Sequence, residues 1–393
     1  MNEYYEKANF IKDEIIHNRR TLHSYAETGF ELPRTFEFVM EKLKSYGLEP
    51  RQSGKSGIVC NVGSGGSTIL LRADMDALPM KEVTGLEFQA INGNCHSCGH
   101  DSHTAMLLGA AKILKQNEEK LNGTVKLMFQ PAEEILSGAK DMVDNGVLES
   151  PKVDAALGLH VMVGNDVSET GKVFYSRGTA LFSGDAIKIN VKGKNAHGST
   201  PEKGVDAINI AAHIVIALQE IISREIPCQD NSVIIVGKIS GGDTVNTLAG
   251  SAALEVSVRS TSEEKRAYLK NRIKEVSESV ANTFRGEATV EFWYGIGPLV
   301  NDITLSDEMT NYCREILGED NVRMVPPSSG SEDFTEIAVR VPSVMLYLGA
   351  GSIEEGHVYT MHNPGMIVNE DVLHLGSALY AHCAESYLKN HIK

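Results

Sequence analysis

Residues 93 to 103 read GNCHSCGHDSH, which puts two cysteines, three histidines and an aspartate into eleven positions. Thiolate, imidazole and carboxylate are the side chains that bind borderline transition metals. The same stretch holds a Cys95-x-x-Cys98 pair, which in isolation also fits thiol–disulfide chemistry. A structural zinc knuckle would need a second ligand pair at similar spacing, and the remaining cysteines, at 60, 228, 313 and 383, are scattered. Three readings therefore stay open on this segment alone: a catalytic metal, a structural zinc, or a redox pair.

Other segments carry ligand-type residues to comparable places. RADMDALP (72–79) follows an apolar run and sets Asp74 and Asp76 at its end, and FQPAEE (129–134) ends in Glu133 and Glu134. GLH (158–160) closes a further apolar run with His160, and MHNP (361–364) offers His362 in a loop. In α/β sheets, ligands gather at the carboxyl ends of strands. A carboxylate pair is ordinarily solvated and a single histidine ordinarily structural; several strand ends delivering ligands together favour a metal.

The elements around these segments alternate. Strand-like runs at 57–62, 68–73, 124–130, 154–161 and 343–349 are separated by helical patterns near 3–24, 35–47, 102–116, 134–144, 305–317 and from 370 onward. Runs apolar on both faces, interleaved with helices, predict an α/β layer with a mixed sheet. Between residues 184 and 295 the order becomes strand 185–193, helix 204–225, strands 232–240 and 252–260, helix 262–284 and strand 287–295, a βαββαβ ferredoxin-like unit. The expected organisation is a discontinuous α/β domain, 1–183 plus 296–393, interrupted by a smaller α+β domain at 184–295.

The chain has 393 residues, 42% hydrophobic and 23% charged, with a formal net charge of −15. That balance suits a folded protein and speaks against nucleic acid or an anionic membrane as partner. The charged N-terminus lacks a secretory h-region and no run of about 18 apolar residues is evident, so no membrane span is expected. Isolated cysteines point to a reducing, cytoplasmic setting.

Taken together, CGHDSH, RADMDALP, QPAEE, GLH and MHNP, with LHSYAETGFEL near the start and GSEDF (330–334) near the end, resemble the dinuclear metallohydrolases of the aminoacylase and carboxypeptidase-G type. Within them the nearest branch contains hippurate hydrolase, N-acetyldiaminopimelate deacetylase and indole-acetyl-amino-acid hydrolases. The resemblance runs over nearly the whole chain and implies a metallopeptidase domain with an inserted lid and dimerisation domain. It implies that Cys98, His100, Glu134, His160 and His362 hold two divalent ions, zinc or manganese first, with cobalt and nickel also compatible. Glu133 is then the general base, and Asp76 orients a ligating histidine from behind. It implies further that His197, in KNAHGSTPEKGVDA, stabilises the oxyanion in the active site of a partner subunit. Asn246 and Arg259 contact substrate, although NTLA and VSVR depart from the family pattern there.

The expected function is hydrolysis of the amide bond of small N-acyl amino acids by a homodimer or higher homo-oligomer. An exopeptidase acting on short peptides would use the same machinery, and a non-catalytic metal or amino-acid binding protein on this scaffold would not need Glu133.

Overall fold

The computed structural model describes residues 2–393, which form two compact units. The larger contains the residues up to Ala180, Val300–Pro326 and Asp333–Lys393; the smaller contains Leu181–Leu299 and Pro327–Glu332. Segment 327–332, expected in the larger domain, is tied to the smaller one because Phe182 N–H donates to Ser328 O at 3.2 Å.

Twelve strands make the two main sheets: β1 (Arg51–Ser53), β2 (Gly57–Gly63), β3 (Ser67–Asp74), β4 (Gly123–Gln130), β5 (Ala155–Met162), β6 (Val173–Tyr175), β7 (Gly184–Lys192), β8 (Val233–Gly241), β9 (Ser251–Arg259), β10 (Glu287–Ile296), β11 (Val322–Met324) and β12 (Ser343–Gly349). The larger unit carries an eight-stranded mixed sheet in the order β1-β2-β4-β3-β5-β12-β6-β11. Its central strands β4, β3, β5 and β12 run parallel, with Leu71 opposite both Leu127 and Leu157 and Leu346 opposite Leu159. Strands β3 and β4 are buried along their whole length, which explains their unbroken apolar runs. Helices Lys12–Tyr25, His100–Gln116 and Leu373–Asn390 cover the sheet and share its core.

The smaller unit is a four-stranded antiparallel sheet, β8-β9-β7-β10, whose helices Ala207–Glu220 and Glu263–Thr283 enclose a separate core with Ile187, Ile189, Leu254 and Leu269. The chain order βαββαβ with this strand order is the ferredoxin-like arrangement.

Two local expectations change. The N-terminal helical pattern breaks at Ile11, giving Glu3–Phe10 and Lys12–Tyr25. The helix expected from 134 begins only at Gly138, because Ala132 (φ 56°) and Leu136 (φ 51°) adopt left-handed backbone and turn 131–137 into a tight loop. Among the described residues one helix, Ala207–Glu225, is long and apolar enough to cross a bilayer by composition, which the sequence pattern had not suggested. Its Ile210, Ile214 and Leu218 lie in the smaller core, while Ile208 and Ile216 face outward.

A buried ion pair anchors the start of helix His100–Gln116. Arg19 Nε donates to Asp101 Oδ2 at 2.7 Å, and His23 Nδ1 lies 2.8 Å from the same oxygen. Asp101 is therefore an ion-pair residue and not an N-cap. Burial opposes its ionisation, but Arg19 and His23 outweigh that and hold its carboxyl far below the usual range. A group depressed in this way stabilises the fold above its unfolded pKa near 3.9 and loses the contribution as pH falls. Arg19→Met is expected to cost about 3–5 kcal/mol at pH 7, because it strands a buried carboxylate. Urea unfolding at pH 7 and pH 4 should show the penalty shrinking at the lower pH.

Candidate metal centre

The sheet topology brings the scattered ligand candidates to one place in the larger unit. Three overlapping groups, Cys98 with His100 and His160, Cys98 with Glu134 and His362, and His100 with Glu133 and Glu134, each hold their ligand atoms within 4.8 Å of one another. Cys98 precedes the helix His100–Gln116, His160 lies near the end of β5, and Glu133 and Glu134 lie in the loop after β4. His362 arrives on the loop after β12, fixed by its own N–H on Ser97 O at 2.7 Å. Its φ of 63° is unusual for histidine and shows that the loop is held in a sparsely populated conformation.

The imidazoles are aimed by their other nitrogen. His100 Nδ1 is 2.8 Å from Asp76 O and His160 Nδ1 is 2.6 Å from Val161 O. A carbonyl only accepts, so Nδ1 carries a proton in both rings and Nε2 is the atom left to face the site. Burial opposes a charged His100, but Asp74 and Cys98 outweigh it and raise its pKa well above the usual value, so a metal ion must displace a proton from Nε2 there. His160 Nε2 lies 3.6 Å from Cys98 Sγ. His100 Nε2 is buried without a hydrogen bond, yet it faces Asp74 Oδ2 at 3.6 Å, Glu133 Oε2 at 3.8 Å and Glu134 Oε1 at 3.9 Å. A buried nitrogen surrounded by carboxylate oxygens is satisfied by positive charge between them, so the donor set fits divalent metal ions.

Gly99 joins the two ligands Cys98 and His100 at φ 88°, and a Cβ there would collide with Val161. Only glycine fits. Asp76 stands behind His100, its backbone carbonyl 2.8 Å and its Oδ1 3.6 Å from Nδ1, and its carboxylate also accepts Glu133 N–H at 2.9 Å and Glu134 N–H at 3.2 Å. The residue thus fixes a histidine and both glutamates at once.

Behind the ligands lies a network the motif reading left aside. Arg72 is buried and donates to Asp74 Oδ2 at 2.7 Å, to Gln130 Oε1 at 2.9 Å and to Asp333 Oδ1 at 3.3 Å. Asp333 also accepts Ala139 N–H at 2.9 Å, so it caps the helix Gly138–Asp144. Burial disfavours an ionised Asp74, but Arg72, His100 and His103 overcome it and keep the carboxyl well below the usual range. Burial lowers the basicity of His160, as does His103 beside it, and keeps it neutral as a ligand must be.

In the smaller unit, His197 sits on a two-residue strand opposite Thr247, and Gly198 N–H donates to Asn246 O at 2.9 Å. These two expected residues are neighbours. Arg259 is not with them; it ends β9, whose first residue, Ser251, lies near the Thr247–Leu248 strand. Nine strand residues separate the ends by about 26 Å at 3.3 Å per residue.

A sequence profile of peptidase family M20/M25/M40 matches residues 70–386. The chain belongs to this family. It is 36% identical over 97% of its length to IAA-amino acid hydrolase ILR1-like 4 of Arabidopsis thaliana, covering 87% of that protein. It is 34% identical over 92% of its length to N-acetyl-L-cysteine deacetylase of Bacillus subtilis, covering 85% of it. Among solved structures, the Bacillus subtilis YXEP protein, a dinuclear metal binding peptidase of the M20 family, superposes with a TM-score of 0.84 at 27% identity, over 97% of this chain and 99% of that one. As an M20 member the protein is a hydrolase acting on amide bonds, with the fold of a metallopeptidase domain bearing a small inserted α+β domain.

Burial pushes the Cys98 thiol up, so a metal must displace its proton to gain the thiolate. Metal affinity is therefore expected to rise with pH, by about tenfold per unit for one released proton across pH 6–8. Calorimetric titration in two buffers of different ionisation enthalpy should register that proton; the Cys98→Ser protein should release one fewer.

Proposed function

We propose that the protein is a metal-dependent N-acyl-amino-acid amidohydrolase, with Cys98, His100, Glu134, His160 and His362 as the ligands of two divalent ions. The observation that carries this reading is the convergence of those five side chains about a buried His100 Nε2 that has no hydrogen bond. Bound divalent ions polarise an amide carbonyl and lower the pKa of water toward neutrality. Zinc and manganese suit the mixed thiolate, imidazole and carboxylate set best.

Glu133 is the general base. It is buried, its Oε2 lies beside His100 rather than in solvent, and its backbone is held by Asp76. It takes a proton from the attacking water and returns it to the departing amine nitrogen. His197 supplies an oxyanion donor. Ser199 N–H donates to its Nδ1 at 3.1 Å, which leaves the ring proton on Nε2. Asn246, on the adjoining turn, adds an amide, and Arg259 offers a guanidinium fork to a substrate carboxylate.

Deacylation is put first because an amino-acid-conjugate hydrolase and an N-acetyl-L-cysteine deacetylase are relatives at 36% and 34% identity; carboxypeptidase relatives at 34% keep exopeptidase action as the second reading. The smaller unit pairs with a second copy through its edge strand β8 and the neighbouring helix Ala207–Glu220, where Ile208, Ile216, Ile235 and Ile239 are exposed. A thiolate ligand at Cys98 further calls for a reducing, cytoplasmic compartment.

Hydrolysis of N-acetyl, N-benzoyl and dipeptide substrates is expected to favour the acyl amino acids, to vanish with chelator and to return with Mn²⁺ or Zn²⁺. Glu133→Gln should lose about 10²–10⁴-fold in rate while keeping its metal by elemental analysis. A near-normal rate for that variant would defeat the base assignment. Ile216→Lys should shift the sedimentation coefficient from dimer to monomer. A mixture of His197→Ala with Cys98→Ser is expected to regain activity through heterodimers.

A further inference from the structure

The position of Asp74 raises a question that the ligand set does not answer. Its Oδ2 stands 3.6 Å from His100 Nε2, closer than either glutamate oxygen at that atom. Two ligand atoms each about 2.1 Å from one ion stand about 3–3.5 Å apart, so distance alone would admit Asp74 to the coordination sphere. Its hydrogen bonds pull it the other way. Arg72 Nη1 donates to Oδ2 at 2.7 Å, and His103 Nδ1 lies 2.5 Å from Oδ1.

The His103 proton is assigned without ambiguity. Val161 N–H donates to His103 Nε2 at 2.8 Å, so Nε2 is the acceptor and Nδ1 carries the proton toward Asp74. Both ring nitrogens are spent, which removes His103 from the ligand candidates although it clusters with Asp74 and His100. Thr104 Oγ1 adds a third clamp by donating to Asp74 O at 2.7 Å.

We propose that His103 and Arg72 are positioning residues that hold Asp74 out of the metal coordination sphere and so keep a ligand position available to substrate. The inference rests on the metal-dependent reading above. An additional carboxylate would bind the ion more tightly and fill the position that catalysis needs open. Releasing Asp74 should therefore strengthen metal binding while slowing turnover, the reverse of what loss of structural support would do.

The experiment uses full-length protein reconstituted with Co²⁺, with affinity read by competition against a chromophoric chelator and geometry by visible d–d absorbance. His103→Leu removes the donor without changing charge. It is expected to bind Co²⁺ about tenfold tighter, to lose absorbance per ion as the coordination number rises, and to drop about 10–100-fold in kcat with little change in KM. His103→Asn, which keeps an N–H for Asp74, should restore all three. Adding Asp74→Asn to His103→Leu should abolish the tightening. Weaker Co²⁺ binding or an unchanged spectrum in His103→Leu would overturn the proposal. Should that variant fail to fold, an unchanged spectrum in Arg72→Gln would overturn it equally, and a changed one that Asp74→Asn reverses would support it. Wild-type protein that binds no Co²⁺ would instead bring down the metal reading, and this inference with it.

Discussion

The direction of the His100 imidazole governs the rest of the larger unit. Its Nδ1–H is given to Asp76 O, which turns Nε2 toward a cluster of buried carboxylate oxygens. Such an arrangement is unfavourable in a low-dielectric interior unless positive charge enters it. The fold accepts that cost because the neighbouring contacts over-determine the geometry. Gly99 lets the chain turn from Cys98 into the helix, Arg19 and Asp101 pin the first turn of that helix, and Tyr380 Oη ties β3 to β5 by donating to Arg72 O while accepting Leu159 N–H. None of these residues needs to touch substrate, yet each limits how far a ligand can stray.

Charge is distributed around the site with the same economy. Asp74 and Asp76 are buried next to two glutamates, and Arg72 is the cation set against Asp74. The aspartates differ from the glutamates in what they hold: Asp76 spends its carboxylate on two backbone amides, and Asp74 spends its own on Arg72 and His103. A carboxylate already saturated by donors is a poor competitor for a cation. Two of four acidic side chains of similar intrinsic chemistry are thereby set apart as supports by their hydrogen-bond partners, which leaves Glu133 and Glu134 for the roles proposed above.

That sorting marks where sequence reasoning ran out. The central strands and the residues at their carboxyl ends were legible, because buried parallel strands read as continuous apolar runs and the ligand-type residues stand at their ends. The loop after β4 was not, since Ala132 and Leu136 adopt positive φ without the glycine that usually announces it. Strands β1, β6 and β11 have three residues each, too short for periodicity to register. His103 and Arg72 stand inside CGHDSH and RADMDALP, but the motifs gave them no role; that of His103 exists only because β5 places Val161 N–H at one ring nitrogen and β3 places Asp74 at the other.

The smaller unit imposes a separate constraint. His197 and Asn246 stand at one end of its sheet and Arg259 at the other, with the length of β9 between them. A small acyl amino acid spans well under the roughly 26 Å that nine strand residues cover. If all three side chains meet substrate, one chain must serve two different substrate molecules. The pairing proposed above would answer this, because with a second copy the two ends need not come from one chain. The exposed isoleucines on β8 and on the helix Ala207–Glu220 supply an apolar face for such a pairing. In the proposed dimer, His197 of one copy and Arg259 of another would then act on one substrate.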